Sequence, residues 1–180
     1  PLLLIACASH AQEGPAASRE IPAFTIPPAR PNVTYHRFIA FGDHGTGSKD
    51  QQRVADAMAQ RAASDGVDFM LTLGDNFYGS GVESVDDPQW KTKWENVYSA
   101  KSLQIPVYPT LGNHDHKGNV QAQIDYSKRN ANWKMPSRYY TFRVDLDDGQ
   151  HAQFFALDTD ILGRADPKQA EWLERELKSS

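Results

Sequence analysis

Three short apolar runs of this chain each end in a glycine that is followed at once by polar side chains. Residues 37–41 lead into Gly-Asp-His-Gly, residues 67–73 into Gly-Asp-Asn-Phe-Tyr, and residues 106–111 into Gly-Asn-His-Asp. Apolar runs that are closed by a glycine turn are typical of buried strands. Because ligands of open α/β sheets bind beyond the carboxyl ends of the strands, we expect the three polar clusters to meet at one site.

The segments between these strands predict helices. Residues 48–63 carry Val54 and Met58 four positions apart, which predicts an amphipathic helix with both side chains on its buried face. Gly66 follows at a position that is typical of a C-cap. Residues 88–98, which include two tryptophans, predict a second helix.

The last third of the chain has a different pattern. Residues 139–146 and 151–157 flank an Asp-Asp-Gly turn and predict a β-hairpin. Asp166 followed by proline predicts the start of a helix, whose buried face we expect to include Leu177. Strand–helix–strand units that are followed by a hairpin predict an α/β domain.

The first 34 residues differ in composition from the rest. Residues 1–8 are apolar, lack an initiator methionine and are too short to span a bilayer, which is typical of the end of a secretory signal peptide. Because Leu-Ile-Ala-Cys resembles a lipoprotein box, lipid anchoring at Cys7 is an alternative to cleavage, and an N-terminal strand is another. We interpret residues 1–11 as the signal or lipobox remnant, 12–34 as a proline-rich linker, and 35–180 as the folded domain.

Charge and cysteine content narrow the class of function. The net charge is -4, and the sequence has no cluster of basic residues, so we predict no nucleic-acid partner. Cys7 is the only cysteine, which excludes an internal disulfide. The sequence carries no serine or cysteine nucleophile motif of the GxSxG or CxxxxxR type. Any phosphate chemistry would therefore depend on local groups, with metal ions as the candidates.

The polar side chains at the three strand ends have the chemistry of a metal site. Asp43, Asp75 and Asn113 offer oxygen atoms, Tyr78 offers a phenol and His114 an imidazole. Such donors suit hard or borderline cations, and one carboxylate can bridge two cations held about 3.5–4 Å apart. Taken singly, each aspartate could instead be a turn former and the tyrosine a packing residue.

The three motifs, in this order and spacing, resemble those of the calcineurin-like metallophosphoesterases. Tyr78, three residues after Asp75, narrows the resemblance to the purple acid phosphatases. Residues 112–119 and 126–128 resemble their small, tartrate-resistant mammalian branch. The resemblance covers about residues 37–180 and implies an α/β sandwich of two sheets flanked by helices, with its C-terminal part missing.

The resemblance also implies a role for each motif residue. Asp43 would bind Fe(III), Asp75 would bridge both metals, and Tyr78 would bind Fe(III) as a tyrosinate. Asn113 would bind the second, divalent ion, which could be Fe, Zn or Mn. His114 would contact the phosphate and help to protonate the leaving alkoxide.

The implied activity is hydrolysis of phosphate monoesters at acidic pH by hydroxide held on the metals, in a secreted or periplasmic protein. The family uses three further histidines from later segments, and none of the six histidines here lies beyond His151. We therefore interpret the sequence as about the first two-thirds of the domain and expect low activity from it alone. A phosphodiesterase or nucleotidase, and a non-catalytic exported binding protein, are the alternatives; the sequence indicates no oligomeric state.

Four further residues have less specific patterns. We expect His44 and His116 to lie at the rim of the site. Asp115 is expected to support a turn or another site residue, and Asp158, at the end of the second hairpin strand, to form structural hydrogen bonds.

Overall fold

The computed structural model describes residues 2–7, 24–26, 36–146, 149–160 and 166–179. Most of the predicted linker over residues 12–34 and the tip of the predicted hairpin at residues 147–148 lie outside the described residues.

The described residues form seven strands, three α-helices and three shorter helical segments. The strands and α-helices are β1 Leu2–Cys7, β2 Phe24–Ile26, β3 Phe38–Phe41, α1 Lys49–Asp65, β4 Phe69–Leu73, β5 Val107–Thr110, α2 Val120–Tyr126, β6 Tyr140–Asp145, β7 His151–Asp158 and α3 Pro167–Ser179. The shorter segments are a π-helix at Trp90–Glu95 and 3-10 helices at Lys101–Leu103 and Asp115–Lys117.

The strands are arranged in two sheets. Strands β3, β4 and β5 form a parallel sheet in this order, with Phe38 opposite Phe69. The second sheet has the order β1-β7-β6-β2, and β6 and β7 form the predicted antiparallel hairpin, with Phe142 opposite Phe154. The three strands that precede the glycine motifs are therefore neighbours, and their carboxyl ends lie at one edge of one sheet.

Aromatic rings join the two sheets. Phe142 of β6 stacks on Tyr108 of β5 with ring centroids 3.9 Å apart, and Phe69 of β4 meets the ring of Phe154 of β7 edge-on at 5.5 Å. Phe69 and Phe142 are fully buried. Such ring pairs contribute about 0.5–1.5 kcal/mol beyond the burial of their surface. The predicted α/β class, with two packed sheets, is confirmed.

The apolar N-terminal segment lies at the edge of the second sheet. Strand β1 runs parallel to β7, with Leu2 opposite Gln153 and Cys7 opposite Asp158. This pairing does not test cleavage or lipid attachment, so the export signal and the anchor at Cys7 stay predictions. Within the described ranges, the structure contains no helix with the length and apolar character needed to cross a membrane.

Helix α1 lies where the sequence predicts it, but it buries a different face. Its N-cap is Ser48, whose hydroxyl accepts a hydrogen bond from the Gln51 amide at 3.2 Å. Met58 is buried as predicted, whereas Val54 is 54% exposed, so the prediction for Val54 is wrong. The buried side chains of this helix are Gln51, Ala55, Met58 and Ala62. On the helical wheel Val54 lies about 40° outside Met58, which forms the edge of that stripe.

Helix α3 begins as predicted and buries less than predicted. The Asp166 carboxylate accepts a hydrogen bond from the Lys168 amide at 3.0 Å, as an N-cap does. Trp172 is buried against Phe155, but Leu177 is 38% exposed. The expectation of a buried Leu177 is therefore wrong, because the packed face of the helix ends one turn earlier.

The buried face of α1 predicts different effects for two substitutions on this helix. Met58→Ala should lower the free energy of unfolding by about 2–5 kcal/mol, because it leaves a cavity under the helix. Val54→Ala should change it by less than about 0.5 kcal/mol, since the side chain is solvated. Urea unfolding of both variants measures this, and equal losses would contradict the observed face of α1.

Candidate metal centre

The three glycine turns are hydrogen-bonded to one another at the carboxyl edge of the β3–β4–β5 sheet. The Asp43 amide donates to the Gly74 carbonyl at 3.1 Å, and the Tyr78 amide donates to the Gly45 carbonyl at 2.8 Å. The third turn joins them through His114, whose amide donates to Asp75 Oδ1 at 3.0 Å. The expectation that the three polar clusters meet at one place is confirmed.

Two aspartates have an unusual backbone conformation at this edge. Asp43 has φ 54° and Asp75 has φ 52°, and the structure describes no other residues except glycines with positive φ. This region is disfavoured for side chains with a Cβ, although aspartate tolerates it better than most residues. Strain of this kind is concentrated at functional sites, and here it affects the two carboxylates that the sequence singles out.

Tyr78 lies against the carboxylate of Asp43. Its hydroxyl donates to Asp43 Oδ1 at 2.6 Å, and its carbonyl accepts a hydrogen bond from Lys93 Nζ at 2.6 Å. Burial first, and then the carboxylates of Asp43 and Asp75, raise the pKa of the Tyr78 phenol above its ordinary value. A cation bound at this point would lower the pKa of the phenol, because a positive charge stabilises the phenolate.

His114 packs beside Tyr78 with a defined ring orientation. The ring centroids are 4.6 Å apart, and His114 Nδ1 lies 2.9 Å from the Gly79 carbonyl. Since a carbonyl only accepts, Nδ1 carries the proton, which leaves Nε2 as the acceptor in the neutral ring. Lys117 adds a cation beside the ring, with its Nζ 3.3 Å from Nδ1 and 3.5 Å from Nε2.

Asn113 is half-buried at the same turn. No hydrogen bond of its side chain is found within the part of the chain that the structure describes. The side-chain amide of Asn113 is therefore able to bind a ligand at this turn.

A buried carboxylate holds the second and third turns together. Asp115 is fully buried and accepts hydrogen bonds from the amides of Gly112 at 2.9 Å, Asn76 at 3.1 Å and Phe77 at 3.2 Å. Gln123 of α2 donates to it at 2.9 Å. Burial raises the pKa of Asp115 to about 6, and these donors limit the rise. The residue therefore supports the site, as its position in the motif led us to expect.

The two histidines that we expected at the rim are buried. His44 Nε2 lies 3.4 Å from Asn76 Oδ1, and the Tyr98 hydroxyl lies 3.1 Å from its Nδ1. Burial lowers the pKa of His44 to about 4, with smaller opposing effects of Asn76 and Asp43. His116 Nε2 bonds to the buried carboxylate of Asp158 at 2.8 Å, so both rim predictions are wrong.

Three residues near the site were not identified from the sequence. Lys93 lies on the π-helix and holds the Tyr78 carbonyl, and no motif marks it. Gln123 lies on α2, eight residues after Asp115, and no motif marks it. Asn76 lies within Gly-Asp-Asn-Phe-Tyr, and its place directly after Asp75 was the available signal.

The donor set fits a hard cation. Over the described residues, no group of three or more His, Cys, Asp and Glu side chains lies close enough to hold a metal ion. The cluster at the sheet edge combines two aspartates, Asp43 and Asp75, with the other oxygen donors Tyr78 and Asn113. Two carboxylates, a phenol and an amide are oxygen donors of the kind that iron(III) and divalent cations such as manganese accept.

A family comparison agrees with this geometry. Residues 36–175 match the model of the calcineurin-like phosphoesterase domain. The chain belongs to this family. The match runs from before β3 into α3 and so contains the parallel sheet and all three turns.

Several curated relatives of this phosphoesterase domain are acid phosphatases by name. Tartrate-resistant acid phosphatase type 5 is 45% identical in Oryctolagus cuniculus, where the match covers 61% of this chain and 36% of the relative. The same enzyme of Mus musculus is 36% identical, with 80% and 52% covered. Purple acid phosphatase 4 of Arabidopsis thaliana is 37% identical, with 68% and 35% covered. The matches thus span about a third to a half of the length of these relatives. The resemblance to tartrate-resistant and purple acid phosphatases is confirmed.

A solved structure has the same fold. It is described as GAP50, the anchor in the inner membrane complex of Plasmodium, and superposes with a TM-score of 0.68 at 27% identity. The match covers 79% of this chain and 50% of that chain.

The closeness of the turns predicts that Gly112 tolerates no side chain. A Cβ at this position would lie 2.2 Å from Asp75 Oδ1 and 2.3 Å from the Asp75 amide nitrogen. Gly112→Ala should therefore lower the free energy of unfolding by about 3 kcal/mol or more. Gly79→Ala is the control, because Gly79 has φ 67° but no atom within 4 Å of such a Cβ, and it should cost only about 1–2 kcal/mol. Equal losses in urea unfolding would argue against the close approach of the second and third turns.

Burial of neutral His44 predicts a loss of stability in acid. Its pKa is lowered in the folded state, so between about pH 6.5 and pH 4 the unfolded chain binds a proton that the folded chain does not. The free energy of unfolding falls as pH falls through this window, by about 3 kcal/mol from this residue. Asp115, whose pKa is raised to about 6, acts in the opposite direction.

A comparison with His44→Phe separates the two effects. Between pH 7 and pH 4 the wild type should lose about 3 kcal/mol more stability than the variant, since only the wild type has this buried imidazole. Denaturant unfolding at several pH values measures the difference. Parallel pH profiles would show that His44 does not resist protonation.

Proposed function

We propose that this chain forms part of the dinuclear metal centre of an acid phosphatase that hydrolyses phosphate monoesters. The observation that carries the proposal is the contact of 2.6 Å between Tyr78 and Asp43 at the sheet edge where Asp75 and Asn113 also lie. The similarity to tartrate-resistant and purple acid phosphatases supports it.

The residues of the three turns divide between two cations in this proposal. Asp43, Tyr78 and Asp75 would hold Fe(III), and Asp75 with Asn113 would hold a divalent ion, Fe, Zn or Mn. Two such cations supply a clamp for the attacking and leaving oxygens of a phosphoryl group and lower the pKa of water. The left-handed backbone of Asp43 and Asp75 supports this role, because such strain is concentrated at functional sites.

His114 would bind the phosphate and transfer a proton to the leaving group. Its Nδ1–H is held by the Gly79 carbonyl, so Nε2 is the atom that can take up a proton and give it to an alkoxide. The backbone amide of His114 donates to Asp75 Oδ1. This bond fixes the position of the His114 backbone relative to the Asp75 carboxylate. Lys117 would add positive charge beside the phosphate.

Two other functions remain candidates for this scaffold. A phosphodiesterase or nucleotidase would use the same ligands with a different substrate. A non-catalytic binding role is favoured by the similarity to GAP50, which is described as an anchor. A chain that binds no metal would support the binding role.

Export is also part of the proposal. The apolar residues 1–8 and the polar, proline-rich stretch after them support a secreted or periplasmic location. Cleavage and lipid attachment at Cys7 are the two routes, which mass spectrometry of the cellular protein would distinguish.

The activity is tested with two chromogenic substrates. After loading with Fe(III) and Zn(II), we expect the chain to hydrolyse p-nitrophenyl phosphate at acidic pH in preference to bis(p-nitrophenyl) phosphate, but only slowly, because no histidine follows His151 to complete the set of metal ligands. Asp75→Asn should reduce this activity to background, because an amide bridges two cations poorly. Asp50→Asn makes the same chemical change at an exposed position of α1 and should leave the rate unchanged.

Preference for the diester would indicate the phosphodiesterase. If Asp75→Asn binds as much Fe(III) and Zn(II) as the wild type, or if it keeps the wild-type rate, the proposed phosphatase centre is wrong.

A further inference from the structure

A second buried cluster of charged groups lies where the third turn meets the other sheet. The Asp158 carboxylate, at the end of β7, accepts hydrogen bonds from His116 Nε2 at 2.8 Å and Arg138 Nε at 3.1 Å. The exposed side-chain fractions are 0% for Asp158, 5% for His116 and 19% for Arg138. Gln169 of α3 makes two 2.9 Å bonds to the backbone of Asp158 and so fixes the backbone that carries the carboxylate.

Successive side chains of the third turn are held by different elements. His114 bonds to the loop that follows Tyr78, and Asp115 bonds to the amides of the second turn. His116 reaches across to β7 of the other sheet. The turn is thereby held from three directions.

The backbone between His114 and His116 is a tight 3-10 turn. The Lys117 amide donates to the His114 carbonyl at 3.2 Å, and the Gly118 amide donates to the Asp115 carbonyl at 3.2 Å. Because these bonds close the turn, the positions of its residues are geometrically linked. A rotation that displaced His116 would also displace the ring of His114.

Stability alone does not account for a buried imidazole here. Arg138 already supplies a positive partner for Asp158, and removing two charged or polar groups from water is costly even when they are paired. Buried ionic groups are best attested where they fix the register of one element against another. The contact between His116 and Asp158 joins the third turn, which follows one sheet, to a strand of the other sheet. It can therefore fix the position of the turn relative to that strand.

We propose that the His116–Asp158 pair positions His114 in the metal centre from the opposite sheet. His116 and Asp158 are then positioning residues for an imidazole that they do not touch. The consequence for catalysis rests on the proposed function of His114, whereas the position of the ring can be measured without activity.

The test uses nitrogen NMR of the histidine rings in the whole chain without added metal, with His114 assigned by loss of its signals in His114→Gln. His116→Leu should shift the His114 ring signals and remove the Nδ1–H signal of the bond to Gly79. His116→Gln should restore them, because its amide can place a donor near the position of Nε2. Arg138→Met is the matched control, since it removes the other partner of Asp158 but not the contact to the turn.

The comparison separates positioning from general stability. If His116→Leu fails to fold, His116→Asn replaces it, because the shorter amide stays polar but ends short of Asp158. A larger shift of His114 in the disrupting variant than in Arg138→Met, with rescue by His116→Gln, supports the proposal. Unchanged His114 signals, or equal shifts in Arg138→Met, overturn it, whatever the outcome of the phosphatase assay.

Discussion

The hydrogen bonds of the buried Asp115 carboxylate are the constraint on which the candidate centre depends. Three backbone amides from two turns, the side-chain amide of Asn76 and the side-chain amide of Gln123 on α2 converge on it. In an interior of low dielectric such a network is strong when every member is satisfied and costly when one is not. It sets the distance between Asp75 and the third turn, and that distance leaves no room for a side chain on Gly112. The sheet supplies the approximate arrangement of the turns, and Asp115 supplies the close contact.

The sequence predicts the parts of the centre whose signals are local. An apolar run followed by glycine marks a buried strand and its turn within ten residues, so β3, β4 and β5 and their common edge could be predicted. The partners of His44 and His116 could not, because Tyr98 and Asp158 lie 54 and 42 positions away in sequence. The prediction of which helix face is buried was wrong for a related reason. Val54 is apolar and in a helical period, but its burial depends on which stripe packs against the rest of the domain.

Relatives of this domain indicate that one scaffold serves more than one purpose. Its curated relatives are named acid phosphatases, while a solved structure with the same fold is described as an anchor. The aromatic contacts between the two sheets are compatible with either purpose, since they involve no group of the site. The two strained aspartates are not explained by a role as a scaffold alone. Such a scaffold does not need two aspartates with a left-handed backbone beside a tyrosine. These features support the proposed catalytic use of the scaffold.

The central claim is that Tyr78 belongs to an iron site, and the visible spectrum tests it most directly. A phenolate bound to Fe(III) donates electron density into the metal and gives a broad charge-transfer band, which carboxylates and amides do not. The chain loaded with Fe(III) should therefore be coloured, Tyr78→Phe should lose the band, and Tyr139→Phe, at a half-buried tyrosine that packs on Trp172, should keep it. Bound ferric iron without a visible band, or a band that survives in Tyr78→Phe, would contradict the account.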